Sequence, residues 1–402
     1  MPPRVARVPS ATGNVRKLTS ARPLTPARLG FYMPAEWSEH AATWLAWPHE
    51  QSDWPGKFQA IPWVFAEMAR HLQEAERLRI LVGSELDQRR AERCLTRAGV
   101  SASNVEFFEI PTDRSWTRDF LPLFVVRRER GRVKEAATVK WRFNGWARYP
   151  NHERDEAAGV QVAEHAGFRT FLAEATLAGK RQRVVLEGGA IDVDGEGTLL
   201  ATRQCLLTGP QARNRELGSA GIERVVRDYL GVEKMIWLPD GIAGDDTSGH
   251  IDDFARFVAP GRVVLCQEKR REDPNHAVLC AAEEQLRAAR DARGRRLEVI
   301  ALPMPAPVYF DGQRLPASYA NFYVGNATVL VPTFNDPHDR LALGILSELF
   351  PSRKVVGIHA LDLVLGLGTI HCSTQQEPAA PLPDAHIAER RARARRKARR
   401  AA

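Results

Sequence analysis

Five polar segments stand out in this 402-residue sequence because chemically versatile side chains crowd next to glycine and tryptophan. They are Trp116–Asp119 (WTRD), Lys140–Trp146 (KWRFNGW), Leu186–Ala190 (LEGGA), Asp245–Asp253 (DDTSGHIDD) and Gly366–Gln376 (GLGTIHCSTQQ). Glycine beside a polar residue permits backbone conformations that aim a side chain into a cleft. Singly, each segment has a purely structural reading. Asp119 could cap a helix, Glu187 could sit at a strand edge, His250 and Asp252 could form a surface pair, and Cys372 could be an inert buried thiol. Together, a cysteine, a histidine, a glutamate and two aspartates without CxxC or HExxH spacing fit nucleophilic catalysis better than a metal site. Spacing adds a second signal. Asp119 to Glu187 is 68 residues, Glu187 to His250 is 63, and His250 to Cys372 is 122, near twice 61. A similar interval suggests a structural module repeated around a centre, each copy presenting a residue inward. No sequence self-similarity is visible alongside it.

Strands and helices interleave along the whole chain and must supply those positions. Ile61, Val64, Phe65, Met68 and Leu72 recur at helical spacing with Pro62 in the first turn. Residues 77–83 read as a buried strand, and Ser84 with Asp87 forms a capping box for a helix that Gly99 stops. Further strands are expected at 121–126, 183–186, 198–207, 262–266, 297–303, 327–332 and 354–360. Further helices are expected at 153–166, 215–230, His276–Arg293 (stopped by Gly294) and Asp339–Phe350, the last with Leu341, Ile345 and Leu349 on one face. The class is therefore α/β or mixed α+β. Five of the nine tryptophans fall in residues 37–63, a density that needs a large core or a binding cleft.

Composition narrows the class. No run of 18 apolar residues exists, so no membrane span is expected, and the N-terminus lacks the apolar stretch of a secretory signal. Five scattered cysteines argue against a disulfide framework or a zinc knuckle and fit a reducing cytoplasm. The net charge of +8 sits in the ends. Residues 1–30 carry six Lys/Arg and no acid, and residues 384–402 carry eight Lys/Arg against two acids, so the body between them is mildly acidic. The expected organisation is a disordered basic leader over 1–30, one catalytic domain over 31–383, and a disordered Arg-rich tail over 384–402. Nucleic acid is expected only as a nonspecific contact of that tail.

The segments WTRD, LEGGAIDVDGEGTLL, GDDTSGHIDD, LPASYANFYVGN and IHCSTQQEP resemble the agmatine deiminase / bacterial peptidylarginine deiminase family of guanidino-group-modifying enzymes, over about residues 31–378. The resemblance implies the pentein fold, a β/α-propeller of five ββαβ modules with pseudo-fivefold symmetry, at about 71 residues per module. It implies that Cys372 attacks the guanidinium carbon and that Asp119 and Asp252 clamp the guanidinium N–H groups. It also implies that His250 donates a proton to the leaving ammonia, with Glu187 orienting it. Agmatine is the favoured substrate, giving N-carbamoylputrescine and ammonia through a thiouronium-like intermediate. Asp246 is then the candidate partner for the distal ammonium, and Trp116 for the wall along the aliphatic stem. No metal or organic cofactor is required, and a homodimer is the base-rate oligomer.

Two segments depart from the family pattern. Gly366–Cys372 reads GLGTIHC where agmatine enzymes show GGGNIHC, and Phe143–Tyr149 reads FNGWARY where they tend to show FNAWGG. Both bear on which guanidine is used, so a deiminase of peptidyl arginine or of another guanidino compound is the alternative. Other rivals are an amidinotransferase of the same fold, a nucleic-acid-binding protein using the Arg tail, and a metal hydrolase using His250, Asp252 and Asp253.

Overall fold

The computed structural model describes residues 24–381; the expected leader up to residue 23 and the tail from residue 382 lie outside the described residues. Just ahead of residue 31 the described residues include one short element. Ala27–Leu29 form a 3-10 turn capped by Gly30, and the Phe31 amide donates back to the Pro26 carbonyl.

In chain order, β1 (His40–Ala46), α1 (Ile61–Leu72), β2 (Arg77–Val82), α2 (Glu85–Arg97) and β3 (Val105–Glu109) build a sheet in which β1, β2 and β3 are parallel. The apolar face expected for α1 is the buried one, and the Ser84 hydroxyl accepts from the Asp87 amide as the capping box requires. A single turn, α3 (Thr117–Phe120), leads into β4 (Leu123–Glu129). β5 (Arg132–Lys140) pairs antiparallel with β4; α4 (Glu153–Ala166) then returns the chain to β6 (Arg169–Leu172), parallel to β5. A hairpin, β7 (Glu174–Leu177) with β8 (Lys180–Arg183), follows.

The same order recurs. β9 (Ile191–Val193) is antiparallel to β10 (Thr198–Thr202), and α5 (Gly218–Leu230) leads to β11 (Lys234–Leu238), parallel to β10. β12 (Ala255–Ala259), β13 (Arg262–Gln267), α6 (Pro274–Ala288) and β14 (Glu298–Pro303) repeat it. After the small hairpin β15 (Tyr309–Phe310) and β16 (Gln313–Arg314), it appears again in β17 (Tyr323–Val324), β18 (Thr328–Thr333), α7 (His338–Leu349) and β19 (Lys354–His359). The last strand, β20 (Gln375–Pro378), runs back antiparallel to β1. The result is a mixed α/β fold of small sheets, each backed by a helix.

Four expectations need correcting. Residues 184–186 do not form a strand, because only a single bridge from Val185 to Arg142 is made. The strand expected over 198–207 ends at Thr202, whose hydroxyl accepts from the Cys205 amide and turns the chain into a π-helical segment, Gln204–Thr208. α6 stops at Ala288 rather than Arg293, since the Asp291 carboxylate captures the amides of Arg293 and Arg295 and folds that stretch as a turn. On α7 the fully buried residues are Ala342 and Leu346; Ile345 and Leu349 of the expected stripe pack half-buried against the core, and Leu341 is exposed.

Candidate active site

Four of the five polar segments named from sequence sit at equivalent places, each just ahead of the antiparallel edge strand of a sheet, whereas Lys140–Trp146 follows β5. Asp119 lies in α3 before β4, and Glu187 precedes the 3-10 turn Gly188–Ala190 that enters β9. His250 and Asp252 bracket the start of the turn Ile251–Asp253 that enters β12, and Cys372 precedes β20. All five side chains are buried together.

The glycines explain how tightly they converge. A methyl on Gly189 would lie 2.6 Å from His250 Nδ1, 2.9 Å from Asp119 Oδ1 and 3.1 Å from Asp252 Oδ2. A methyl on Gly188 would lie 2.3 Å from the Arg118 carbonyl oxygen. The pair in LEGGA is therefore the floor on which the histidine and both aspartates meet.

Each ionisable group has its state set by its neighbours. The Asp119 carboxylate accepts from Trp146 Nε1 at 2.9 Å and from the Gly189 amide at 3.0 Å. Burial, reinforced by the charges of Asp252 and Glu187, still pushes Asp119 up to about 6, against the pull of His250 and Trp146. Burial also disfavours charge on Glu187, yet Arg213, whose Nε donates to Oε1 at 2.8 Å, holds it down at about 2. His250 stands 3.9 Å from Asp119, Asp252 and Glu187. Burial works against its charge, but Asp119 and its other polar neighbours raise it well above the ordinary histidine value, which favours the imidazolium. Cys372 Sγ lies 3.7 Å from Asp252 Oδ2, and burial followed by the charges of Asp252, Asp253 and Asp119 pushes its thiol well up.

Several residues of this centre were not singled out from sequence. His371 is buried with Nδ1 2.6 Å from Asp252 Oδ2 and Nε2 2.7 Å from Glu36 Oε2. Burial opposes the charge on Asp252, and His371 overrides it, keeping Asp252 below its usual value. Glu36 is in turn held by Arg256 at 3.0 Å and Arg118 at 3.4 Å. Asn321, just before β17, donates from Nδ2 to Cys372 Sγ at 3.1 Å. The signal for Asn321 was the doubled His250–Cys372 interval, within which it falls 71 residues after His250 and 51 before Cys372; nothing local marked Glu36 or Arg213.

A cleft of about 280 Å³ opens onto Cys372 and Asp119. Trp116 and Trp146 wall it, and Gly366 and Gly368 let the chain pass against Trp54 and Trp116, where a methyl would come within 2.7 Å and 2.9 Å of the rings. Leu367 between them adopts φ 67°, and it lines the same wall. At the mouth, Asp246 accepts from the Tyr149 hydroxyl at 2.5 Å. Arg114 pairs with Asp53 and stacks 4.5 Å over the Tyr149 ring. The structure thus brings Trp116 and Asp246 to the cleft as expected from sequence. Two triplets, Glu187–Cys205–His250 and Asp252–Asp253–Cys372, hold ligand-type atoms within 4.8 Å of one another. In the first, Arg213 already puts a fixed positive charge on Glu187.

The arrangement suits a planar cation: two carboxylates, a thiol and a protonated imidazole at the closed end of an aromatic cleft. Comparison with known proteins agrees. The agmatine deiminase of Ectopseudomonas mendocina (strain ymp) is 35% identical over 378 residues, covering 88% of this chain and 97% of that protein. That of Pseudomonas aeruginosa (strain LESB58) is 36% identical over 381 residues, with the same coverage. Among solved structures, an agmatine deiminase of Enterococcus faecalis superposes with a TM-score of 0.80 at 31% identity, covering 89% of this chain and 98% of that one. The sequence profile of the Porphyromonas-type peptidyl-arginine deiminases matches residues 32–378, and this chain belongs to that family.

Proposed function

We propose that this chain is an agmatine deiminase that hydrolyses agmatine to N-carbamoylputrescine and ammonia with Cys372 as nucleophile. One observation carries the reading. Asp119 and Cys372 line a cleft with Asp252 and His250 packed against them, and the same lining carries Asp53 and Asp246 against Arg114. The closed end fits a guanidinium, and the acidic excess at the mouth fits a distal ammonium. The volume fits a small free guanidine rather than a large ligand.

The steps follow from the charges. A guanidinium is a poor electrophile and must be held with its carbon open to attack. Asp119 and Asp252 hold its N–H groups, which supplies orientation. The bound cation offsets the carboxylates that disfavour a thiolate, so Cys372 releases its proton on binding and Sγ attacks the guanidino carbon. The neutral tetrahedral adduct takes a proton from His250 onto one amino nitrogen, and ammonia departs, leaving a cationic thiouronium on Sγ. His250, now neutral, accepts a proton from the water that attacks the same carbon. Collapse breaks the C–S bond and expels Sγ as a thiolate while the adduct's hydroxyl proton passes to water, leaving a neutral ureido product.

The fold reading that accompanies this is the pentein: five ββαβ modules in a pseudo-fivefold ring, forming one catalytic domain over 31–383. The recurring order of antiparallel pair, helix and parallel strand supports it. No helix of the described residues is long and apolar enough to cross a membrane, and we place the enzyme in the cytoplasm.

The test is ammonia and ureido-product formation from agmatine, free arginine and a blocked peptidyl arginine, with Cys372→Ala as control. Turnover of agmatine above the other two, abolished in the variant, is the expected result. Turnover of another guanidine alone would move the substrate assignment, and a new guanidino product on adding an acceptor amine would mark amidino transfer. Near-normal turnover by Cys372→Ala would sink the mechanism.

A further inference from the structure

Four sheets receive a site residue just ahead of their antiparallel edge strand: Asp119, Glu187, His250 with Asp252, and Cys372. The equivalent edge strand of the fifth, β17, is entered through Asn321, which lies 68 residues after Asp253 and 51 before Cys372. The carboxamide is buried, and its orientation is fixed by two backbone amides, which can only donate. Oδ1 accepts from the His371 amide at 3.0 Å, from the Cys372 amide at 3.4 Å and from the Thr369 hydroxyl at 2.8 Å. Backbone amides demand an acceptor, so Nδ2 must face the other way. There it donates to Cys372 Sγ at 3.1 Å and to Asp253 Oδ1 at 3.0 Å.

The surroundings of the sulfur are otherwise hostile to negative charge. Asp252 is 3.7 Å away, Asp253 and Asp119 add their fields, and the positive groups nearby are directed elsewhere: His250 toward Asp119, Asp252 and Glu187, His371 toward Asp252 and Glu36. The Asn321 N–H is the contact that favours the ionised sulfur. We propose that Asn321 is a catalytic residue: its Nδ2–H stabilises negative charge on Cys372 Sγ, on the attacking thiolate and again when sulfur is expelled from the second adduct, while Oδ1 fixes the nucleophile loop. The amide keeps its proton throughout, and no bond to Asn321 is made or broken. Asp253 accepts the second N–H and keeps the amide turned to the sulfur. The proposal rests on the reading of Cys372 as nucleophile.

Asn321→Asp separates the two ends of the side chain. It retains an acceptor for the loop amides and removes the donor, because a carboxyl group beside a thiolate either carries charge or surrenders its proton to the sulfur. In the full-length protein, the rate of Cys372 alkylation by iodoacetamide is followed by peptide mass at pH 8, with kcat and KM for agmatine measured in parallel. Loss of one donor to a charged group predicts a fall of about tenfold or more in alkylation rate and in kcat, with KM changed less than about threefold. Asn321→Ser, which also lacks the N–H, is read the same way should the aspartate variant not fold. Wild-type alkylation and kcat in a folded variant would overturn the proposal and leave Asn321 a loop fixture. Turnover surviving in Cys372→Ala would instead overturn the reading beneath it, so the two failures are distinct.

Discussion

Trp146→Phe isolates one hydrogen bond of the guanidinium clamp. The phenyl ring retains an aromatic face toward Phe143 and Tyr149, which Trp146 meets edge-on at 5.0 Å and 5.8 Å, and removes, with part of the ring bulk, the N–H that donates to Asp119 Oδ2 at 2.9 Å. A hydrogen bond to an ionised group contributes ~1.5–3 kcal/mol. One pKa unit corresponds to ~1.4 kcal/mol, so the Asp119 value should rise by at least about one unit from about 6. The sign is fixed by the chemistry: Asp119 must be ionised to hold a cation, so activity is lost as pH falls through its titration. With a one-unit rise, kcat/KM should fall about fivefold relative to wild type at pH 6, about twofold at pH 7 and hardly at all at pH 8.5. The assay is kcat/KM for agmatine from pH 5 to pH 9 on both proteins. A deficit of equal size at every pH would mean that the indole only fills space, and the argument about Asp119 would be wrong.

Two other substitutions test the scaffold of the site. Arg213→Met leaves Glu187 buried without its partner and should cost ~3–5 kcal/mol of unfolding free energy at pH 7, measured in urea. Glu187 is depressed to about 2, so its paired contribution is present above pH ~4.5 and fades as pH falls toward 2; the gap between variant and wild type should narrow between pH 5 and pH 3. Gly189→Ala pushes a methyl against His250, Asp119 and Asp252, so kcat/KM should drop by about a hundredfold or more while the thermal midpoint falls only a few degrees. A Gly189→Ala enzyme of ordinary activity would show that the three side chains do not meet where they are drawn.

Chemistry-bearing residues were legible in the sequence where they sat in short, unusual runs. Asp119, Glu187, His250, Asp252 and Cys372 were found because tryptophan, glycine and acid cluster around each, and the structure gathers them. Glu36 and His371 escaped because their contact spans 335 residues, and no local pattern announces a partner that far away. Arg213 looked like one more surface arginine, and only its complete burial against Glu187 gives it meaning. Amphipathic helices such as α1 were readable from their period. The stripe on α7 was read in part: Ile345 and Leu349 do pack against the core, but Leu341 is exposed and the neighbouring sheet buries Ala342 and Leu346 most deeply. The end of α6 was missed because Gly294 is the louder signal, although the Asp291 side chain acts first.

The pairing of β20 with β1 couples the two ends of the fold: Gln375 lies opposite Trp44, Gln376 opposite Thr43, and Glu377 accepts from the Trp44 indole. Cys372 is delivered by the turn just ahead of that strand. A ribosome making this protein therefore supplies the nucleophile and the missing sheet edge in the same few residues. Until then β1 waits with an unpaired side, a state that invites wrong partners and slows folding. A copy cut short anywhere before residue 372 is both chemically inert and visibly unfinished. Closure of the first sheet and arrival of the proposed nucleophile depend on the same few residues.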